Sequence, residues 1–326
     1  MYRPSISVIL CTFNPRPDIL RRVVEALGAQ TVTRERIDLV VIDNKSVPAL
    51  TKDLIESAYG GSLRLVRESK QGLTFARIAG LAHAKADLIC FVDDDNILDP
   101  DYLHAALEIA NAETDLGAFG GRARPQLERR IGDGFAKFLP YFGINDHGGK
   151  PLTGPGDLLG PWTPIGAGLC IRRSIGDAFS AFVEDMRNVE YLGRTGDALL
   201  SGEDTLFSVL SAQAGLSVGY RPSLALDHVI AESRLTLSYL ARLMEGHGRS
   251  RIILSAVMNV DNENDPPVDR NVDILMNALR RMRGHGFLCA YGMYFWDSGR
   301  RRQQRLASAQ AGLAVRNTAS GKLGEH

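Results

Sequence analysis

The chain has no excess of either charge: 38 Lys and Arg face 38 Asp and Glu. No overall field collects nucleic acid or an acidic partner, so any electrostatics that matter are local. Cysteine is scarce. Cys11, Cys90, Cys170 and Cys289 lie far apart with no CxxC pair, which suggests a reducing compartment rather than a disulfide framework. Long apolar runs are missing too. None approaches the ~18 residues that span a bilayer, and the longest candidate, Phe287 to Trp296, is interrupted by Gly292. Met1-Tyr2-Arg3-Pro4 runs into a strand without a signal-peptide pattern, so a cytoplasmic location is the expectation. No GxGxxG follows the first strand and no GxxxxGK[ST] occurs, so dehydrogenase and P-loop readings lack their phosphate cradles. There is no internal repeat.

What is present is the composition of an ordinary globular protein of 326 residues, 44% apolar and 23% charged, enough for a sizeable core. Ser5 to Thr12 is a short β-branched apolar run, as in a strand covered on both faces. Pro17 and Asp18 open a helix to about Ala29. A second strand, Ile37 to Ile42, ends at Asp43-Asn44, and Ser46 and Pro48 read as the start of the next helix. Leu63 to Val66 predicts a third strand, Thr74 to Ala84 a helix, Leu88 to Val92 a fourth strand, and Pro100 to Asn111 another helix. Such alternation implies right-handed crossovers and a mostly parallel sheet between helices. Residues 122–165, rich in Gly, Pro and Arg, read as a substrate-facing segment with little regular structure. Ala167 to Ile171, a helix from Glu203 to Ala214, a strand from Leu216 to Tyr220 and a helix from Leu235 to Gly246 follow. Residues 260–270 read as a polar linker, further helical pattern runs to about Tyr294, and the last twenty residues, 307–326, read as frayed. The expected division is a domain of residues 1–250, in halves 1–121 and 122–250, with a helical extension over 251–326.

Polar residues stand where these strands end. Thr12, Asp43 and Asp93-Asp94-Asp95 each follow an apolar strand, and in an open α/β sheet the carboxyl ends of strands line the ligand crevice. Three adjacent carboxylates repel one another, and a hard cation such as Mg²⁺ or Mn²⁺ resolves the conflict while leaving positions for phosphate. In an extended segment alternate residues share a side, so Asp93 and Asp95 can serve one metal while Asp94 faces a ribose. The alternative is a solvated acidic turn before the helix at Pro100. Glu203-Asp204 follows Gly202 at a helix start, where the dipole alone favours acids. Equally, a metal-and-diphosphate site needs a separate carboxylate to take the proton of an attacking hydroxyl. His228 reads either as a core or turn histidine or as a metal or diphosphate ligand.

These motifs, in this order, resemble a family-two glycosyltransferase with the A-type fold, from about Ser5 to Gly248. Ser-Val-Ile-Leu-Cys-Thr-Phe-Asn-Pro-Arg resembles the first strand and nucleotide-facing turn, which places Thr12 and Asn14 at the donor. Asp43, in Val-Val-Ile-Asp-Asn-Lys-Ser, matches the carboxylate that contacts the base. Gly72 to Gly80 resembles the glycine–arginine segment, implying a base or phosphate contact for Arg77; Ile78 stands where the family usually has asparagine. Phe91 to Asn96 matches the metal motif. The resemblance implies Asp95 as metal ligand, with Asp93 and Asp94 sharing metal and base-ribose duties. Trp162 to Arg173 looks like the acceptor-side segment. Asp204 is implied as the base, with Glu203 positioning it or the acceptor, and His228 with Arg234 and Tyr239 resembles a phosphate-side pattern.

The expected reaction is metal-dependent, inverting transfer, of a hexosyl group in the first instance, from a nucleoside-diphosphate sugar to a saccharide or lipid-linked acceptor. The product would be a polysaccharide or glycoconjugate. A nucleotidyltransferase would carry a glycine- and arginine-rich loop where Thr12-Phe-Asn-Pro-Arg16 stands. A non-catalytic nucleotide-sugar-binding protein would not need Glu203-Asp204. Two readings remain for Arg280, Arg281, Arg283 and Arg300 to Arg302, which flank the aromatic run. They suit a peripheral helix on an anionic membrane, or terminal helices packed inward with solvated arginines.

Overall fold

The computed structural model describes residues 4–185, 193–195, 199–258 and 271–320; the linker expected at 260–270 lies outside them. The chain divides into two compact units, residues 1–197 with 201–235, and residues 198–200 with 236–326. The division falls at residue 235. A helix continuous from Leu237 to Met258 runs through residue 250, where the sequence suggested a boundary.

The first unit is built on one sheet. Its strands are β1 (Ile6–Thr12), β2 (Ile37–Asp43), β3 (Arg64–Arg67), β4 (Leu88–Asp93), β5 (Asn96–Leu98), β6 (Leu116–Leu127), β7 (Leu152–Pro155), β8 (Cys170–Arg172) and β9 (Ser217–Ile230). The order is β3-β2-β1-β4-β8-β6-β9-β5, with β7 also on β9. β3, β2, β1 and β4 are parallel, as the alternating pattern predicts. Beyond β4 the sheet is mixed: β8 runs antiparallel to both β4 and β6, while β6 and β9 are parallel. β8 is reached by a loop from β7, so no crossover helix fixes its direction.

β1 is buried along its whole length, which fits a strand covered on both faces. Val8 and Leu10 face the core shared with Ile19, Val23 and Leu27 of α1 (Pro17–Gly28) and Leu103 of α4 (Tyr102–Ala112). Ile9 faces the other layer, formed by α3 (Leu73–His83), α6 (Arg173–Asp185) and α7 (Glu203–Gln213). A Cβ on Gly80 would sit 2.2 Å from Ile9 Cγ2, so glycine lets α3 lie directly on the strand. Phe91 of β4, Phe207 of α7 and Phe179 of α6 stack in series beneath, with centroids 5.3 and 4.2 Å apart.

Several boundaries differ from expectation. α2 (Lys52–Tyr59) begins well after Ser46-Pro48, because the Asp43 carboxylate accepts the N–H groups of Ser46 (2.9 Å) and Leu50 (3.2 Å) and fixes 46–50 as a loop. Residues 122–165 are more ordered than expected: they hold the end of β6, the short helix α5 (Asp133–Ala136) and β7. β9 continues ten residues past Tyr220, to Ile230. It carries β7 along Ser217–Tyr220 and β5 along Leu226–His228.

The second unit contains α8 (Leu237–Met258), α9 (Asn271–His285) and α10 (Phe287–Ser320). α8 and α10 meet at backbone distance, since a Cβ on Gly248 would lie 2.0 Å from the Trp296 carbonyl oxygen and one on Gly299 2.0 Å from that of Glu245. Asp297 is fully buried and accepts Arg281 Nη1 at 2.6 Å, with Arg300 Nη1 at 3.5 Å. Arg300 and Arg301 are buried, and Arg302 pairs with Glu245 at 2.7 Å. Arg281 thus ties α9 to α10, and Arg302 ties α10 to α8. No helix among the described residues is long and apolar enough to cross a membrane.

Candidate active site

The ends of β1, β2 and β4 come together as expected. The Asn44 N–H donates to the Thr12 carbonyl at 2.8 Å, and Thr12 Oγ1 donates a short hydrogen bond to Asp94. Asn14, in the left-handed region at φ 46°, ties the loops after β1 and β2: its N–H donates to Ser46 Oγ (2.9 Å) and its side-chain carbonyl accepts from Val47 (2.8 Å). Asp43 is buried and engages Arg67 Nη1 at 2.7 Å besides its loop contacts. Burial opposes its ionisation, yet the Ser46 and Leu50 donors and Arg67 hold the carboxyl below its usual range. Asp43 and Asn14 therefore shape the loops after β1 and β2 through backbone contacts. Asn44 does the same, donating to the Lys70 carbonyl (2.6 Å) and accepting from Gly72 N–H (2.8 Å).

Asp93, Asp94 and Asp95 do not continue as a strand. The chain turns at Asp94–Asp95 into β5, so the alternation expected of an extended segment ends at Asp93 and each carboxylate has its own partners. Asp94 meets Thr12. Its carboxyl is pushed up to about 7 by burial and by the charges of Asp95 and Asp93, with Thr12 opposing. Asp93 is raised by burial and by Asp95, against the pull of Arg77. Asp95 is the exception: burial opposes its charge, but His228, Arg234 and Arg194 outweigh it and hold the carboxyl far below the usual range.

The long β9 explains that exception. Asn96 of β5 pairs with His228 of β9, which sets His228 Nε2 3.3 Å from Asp95 Oδ2. Arg234 Nη1 donates to the same oxygen at 2.8 Å. His228 is buried, and its Nδ1 lies 3.4 Å from the Gly143 carbonyl oxygen. A carbonyl is only an acceptor, so Nδ1 carries the proton there. Nε2 then turns towards a carboxylate without a hydrogen bond, an arrangement that calls for a proton or a metal cation between them. An imidazole beside a carboxylate is a donor set that suits Mg²⁺ or Mn²⁺, the remaining positions going to phosphate oxygens and water. Among the described residues no three His, Cys, Asp or Glu side chains form a ready-made cage, so such an ion would rest mainly on Asp95 and His228.

Glu203 and Asp204 open α7 as expected but differ in access. Glu203 is buried, 3.6 Å from Arg77 Nη1. Its carboxyl is pushed up to about 7 by burial, with Arg77 opposing and Asp204 adding to the rise. Asp204 is only half-buried. It accepts the Gly166 N–H at 3.1 Å and that of Thr205 at 2.8 Å, which ties it to the Trp162–Arg173 segment. Arg77 is enclosed: 2% exposed, its guanidinium 5.1 Å from the Phe91 ring centroid. Glu203 and Asp93 are its strongest charged neighbours. It is enclosed between Asp93 and the acidic helix start rather than exposed at the strand ends. Arg67 and Asn44 were not singled out from sequence; Asn44, directly after a strand-ending Asp, was the legible one.

Residues 7–148 match the model of glycosyl transferase family 2, and the family-two resemblance carried by the motifs is borne out. Over 118 residues the chain is 29% identical to the putative glycosyltransferase EpsH of Bacillus subtilis, covering 36% of this chain and about a third (33%) of that relative. It is 26% identical over 255 residues to the succinoglycan biosynthesis protein ExoM of Rhizobium meliloti, covering 75% and 74% of the two chains. A third relative, the glucosyl-dolichyl phosphate glucuronosyltransferase of Haloferax volcanii, is 21% identical over 257 residues, 77% of each chain. Among solved structures, S. aureus TarS aligns at TM-score 0.49 and 14% identity, covering 86% of this chain and 44% of that one.

Proposed function

We propose that the protein is an inverting glycosyltransferase that moves a hexosyl group from a nucleoside-diphosphate sugar to an acceptor hydroxyl in polysaccharide or glycoconjugate synthesis. The observation that carries this reading is the Asp95–His228–Arg234 cluster beside Asp93, whose buried neighbour Arg77 also faces the acidic helix start at Glu203. The acceptor proposed is a saccharide, free or lipid-linked, in keeping with relatives named for succinoglycan biosynthesis and for action on a glucosyl-dolichyl phosphate.

A bound Mn²⁺ or Mg²⁺, held by Asp95 and His228, would supply Lewis-acid stabilisation of the leaving diphosphate. Arg234 brings a fixed positive charge to the same edge. Asn14, Asp43 and Asn44 hold the loops that border the nucleotide, and Asp94, fixed by Thr12, is placed for the ribose. Asp204 takes the proton of the acceptor hydroxyl. Unlike Glu203 it has an exposed edge, and the Gly166 and Thr205 N–H groups fix the position of its carboxylate. Glu203, enclosed beside Arg77, positions α7. With a diphosphate as leaving group no second carboxylic acid is needed, in contrast with glycoside hydrolysis.

The test is a panel of nucleotide sugars and saccharide acceptors, with and without Mn²⁺, read by nucleoside-diphosphate release. Asp204→Asn is expected to lower turnover about 10²–10⁴-fold while donor binding is retained. Full activity in Asp204→Asn, with Glu203→Gln inactive, would move the base to Glu203. Failure of every donor with every acceptor would refute the reading.

A further inference from the structure

The α9–α10 pair has a surface that its own packing does not use. On α9, Ile274, Asn277 and Ala278 are buried and Arg281 reaches the buried Asp297, which together define the inward face. At about 100° per residue, Leu275, Leu279 and Met282 fall within a sector of roughly 60° on another side, with Met276 beside them. These four are 51%, 39%, 43% and 44% exposed, and Phe287, which opens α10, is 65% exposed. Single exposed apolar residues are ordinary, but a contiguous helical stripe of them marks an interaction surface.

Charge decides which partner fits. The whole chain is neutral, yet α9 and α10 carry eight arginines and two aspartates, and one of those aspartates, Asp297, is fully buried. Arg280 is exposed on α9. Between the two helices lies a cavity of about 440 Å³ lined by Ile274, Tyr294, Arg301, Arg302, Arg305 and Leu306. Arg302 pairs with Glu245, but Arg305 is exposed at this cavity, and its guanidinium beside apolar walls suits the phosphate of an amphiphile. One of the two sequence readings put a membrane contact on Arg280, Arg281, Arg283 and Arg300 to Arg302 with the aromatic run, but Arg281 and Arg300 are committed to Asp297 and Arg302 to Glu245. The free surface is the α9 stripe.

We propose that this helical pair docks on an anionic phospholipid bilayer. The Leu275, Leu279 and Met282 stripe enters the interface, Arg280 and Arg305 meet lipid phosphates, and the arginine-lined cavity receives one headgroup. The inference does not depend on the sugar-transfer reading. The full-length protein is floated with vesicles of phosphatidylcholine alone or mixed with phosphatidylglycerol, and its association state without lipid is measured by sedimentation.

Wild-type protein is expected to float with the anionic vesicles only, less so as salt is raised. The stripe variant Leu275→Ser/Leu279→Ser/Met282→Ser and the charge variant Arg280→Glu/Arg305→Glu should each partition about tenfold less. Both change exposed side chains, and melting curves check that each remains folded. No flotation of the wild type, flotation of both variants like the wild type, or equal binding to neutral vesicles overturns the proposal. A lipid-free dimer that the stripe variant abolishes assigns the stripe to a second copy and overturns it as well.

Discussion

Replacing Arg77 by methionine tests the buried link between the two halves of the candidate site. Arg77 and Glu203 lie 3.6 Å apart, their side chains 2% and 5% exposed. At an effective dielectric of about 20 their attraction is about 4–5 kcal/mol. Burial already raises the Glu203 carboxyl from 4.5 to about 7, with Arg77 opposing that rise. A carboxyl raised on folding holds its proton more tightly in the native state. Stability from this group therefore falls as pH rises from about 4.5 towards 7, then levels off. Without Arg77 the native carboxyl is raised further and the fall extends to higher pH. Arg77→Met should thus cost little at about pH 5, where Glu203 is neutral, and the deficit should widen by about 2–4 kcal/mol by about pH 9. Melting curves across that range read it, at roughly 2–4 °C per kcal/mol. Adding Glu203→Gln to Arg77→Met should restore the part of the high-pH loss that Glu203 carries, while Asp93, which also loses Arg77, keeps the remainder. A deficit independent of pH, or a double variant no better than the single one, would refute the reasoning.

Asp95→Ala is expected to abolish transfer and weaken Mn²⁺ binding measured by calorimetry, with the melting temperature lowered only modestly; unchanged Mn²⁺ affinity would remove Asp95 from the ligand set. Asp297→Ala strands the guanidinium groups of Arg281 and Arg300 and should cost about 3–5 kcal/mol. Thermal or denaturant unfolding checks it, and a cost under about 1 kcal/mol would mean that the buried network does not hold the helices.

Apolar runs such as Ile6–Thr12 and Leu88–Asp93 can be buried only between two helical layers, so the parallel half of the sheet was legible from composition and spacing. The strand-end positions of Thr12, Asp43 and the aspartate cluster were legible for the same reason, because each ends such a run. Boundaries that depend on one side-chain contact were not. The late start of α2 follows from Asp43 accepting two loop N–H groups. The turn at Asp94–Asp95, which gives three neighbouring carboxylates different partners, has no periodic signature.

What the sequence determined by itself is therefore the set of chemical groups and the strand ends that carry them, since local apolar pattern decides which segments are buried and where they stop. Only the tertiary structure decided which charges meet. Asp95 meets His228 because a fourteen-residue β9 pairs with β5. Arg77 meets Glu203 because α3 and α7 cover the same face of the sheet, and Arg281 turns inward because Asp297 is buried at its side. A charge 126 or 133 positions away along the chain leaves no mark in the local pattern. The low-dielectric interior that gives such a pair its strength exists only once the chain has folded.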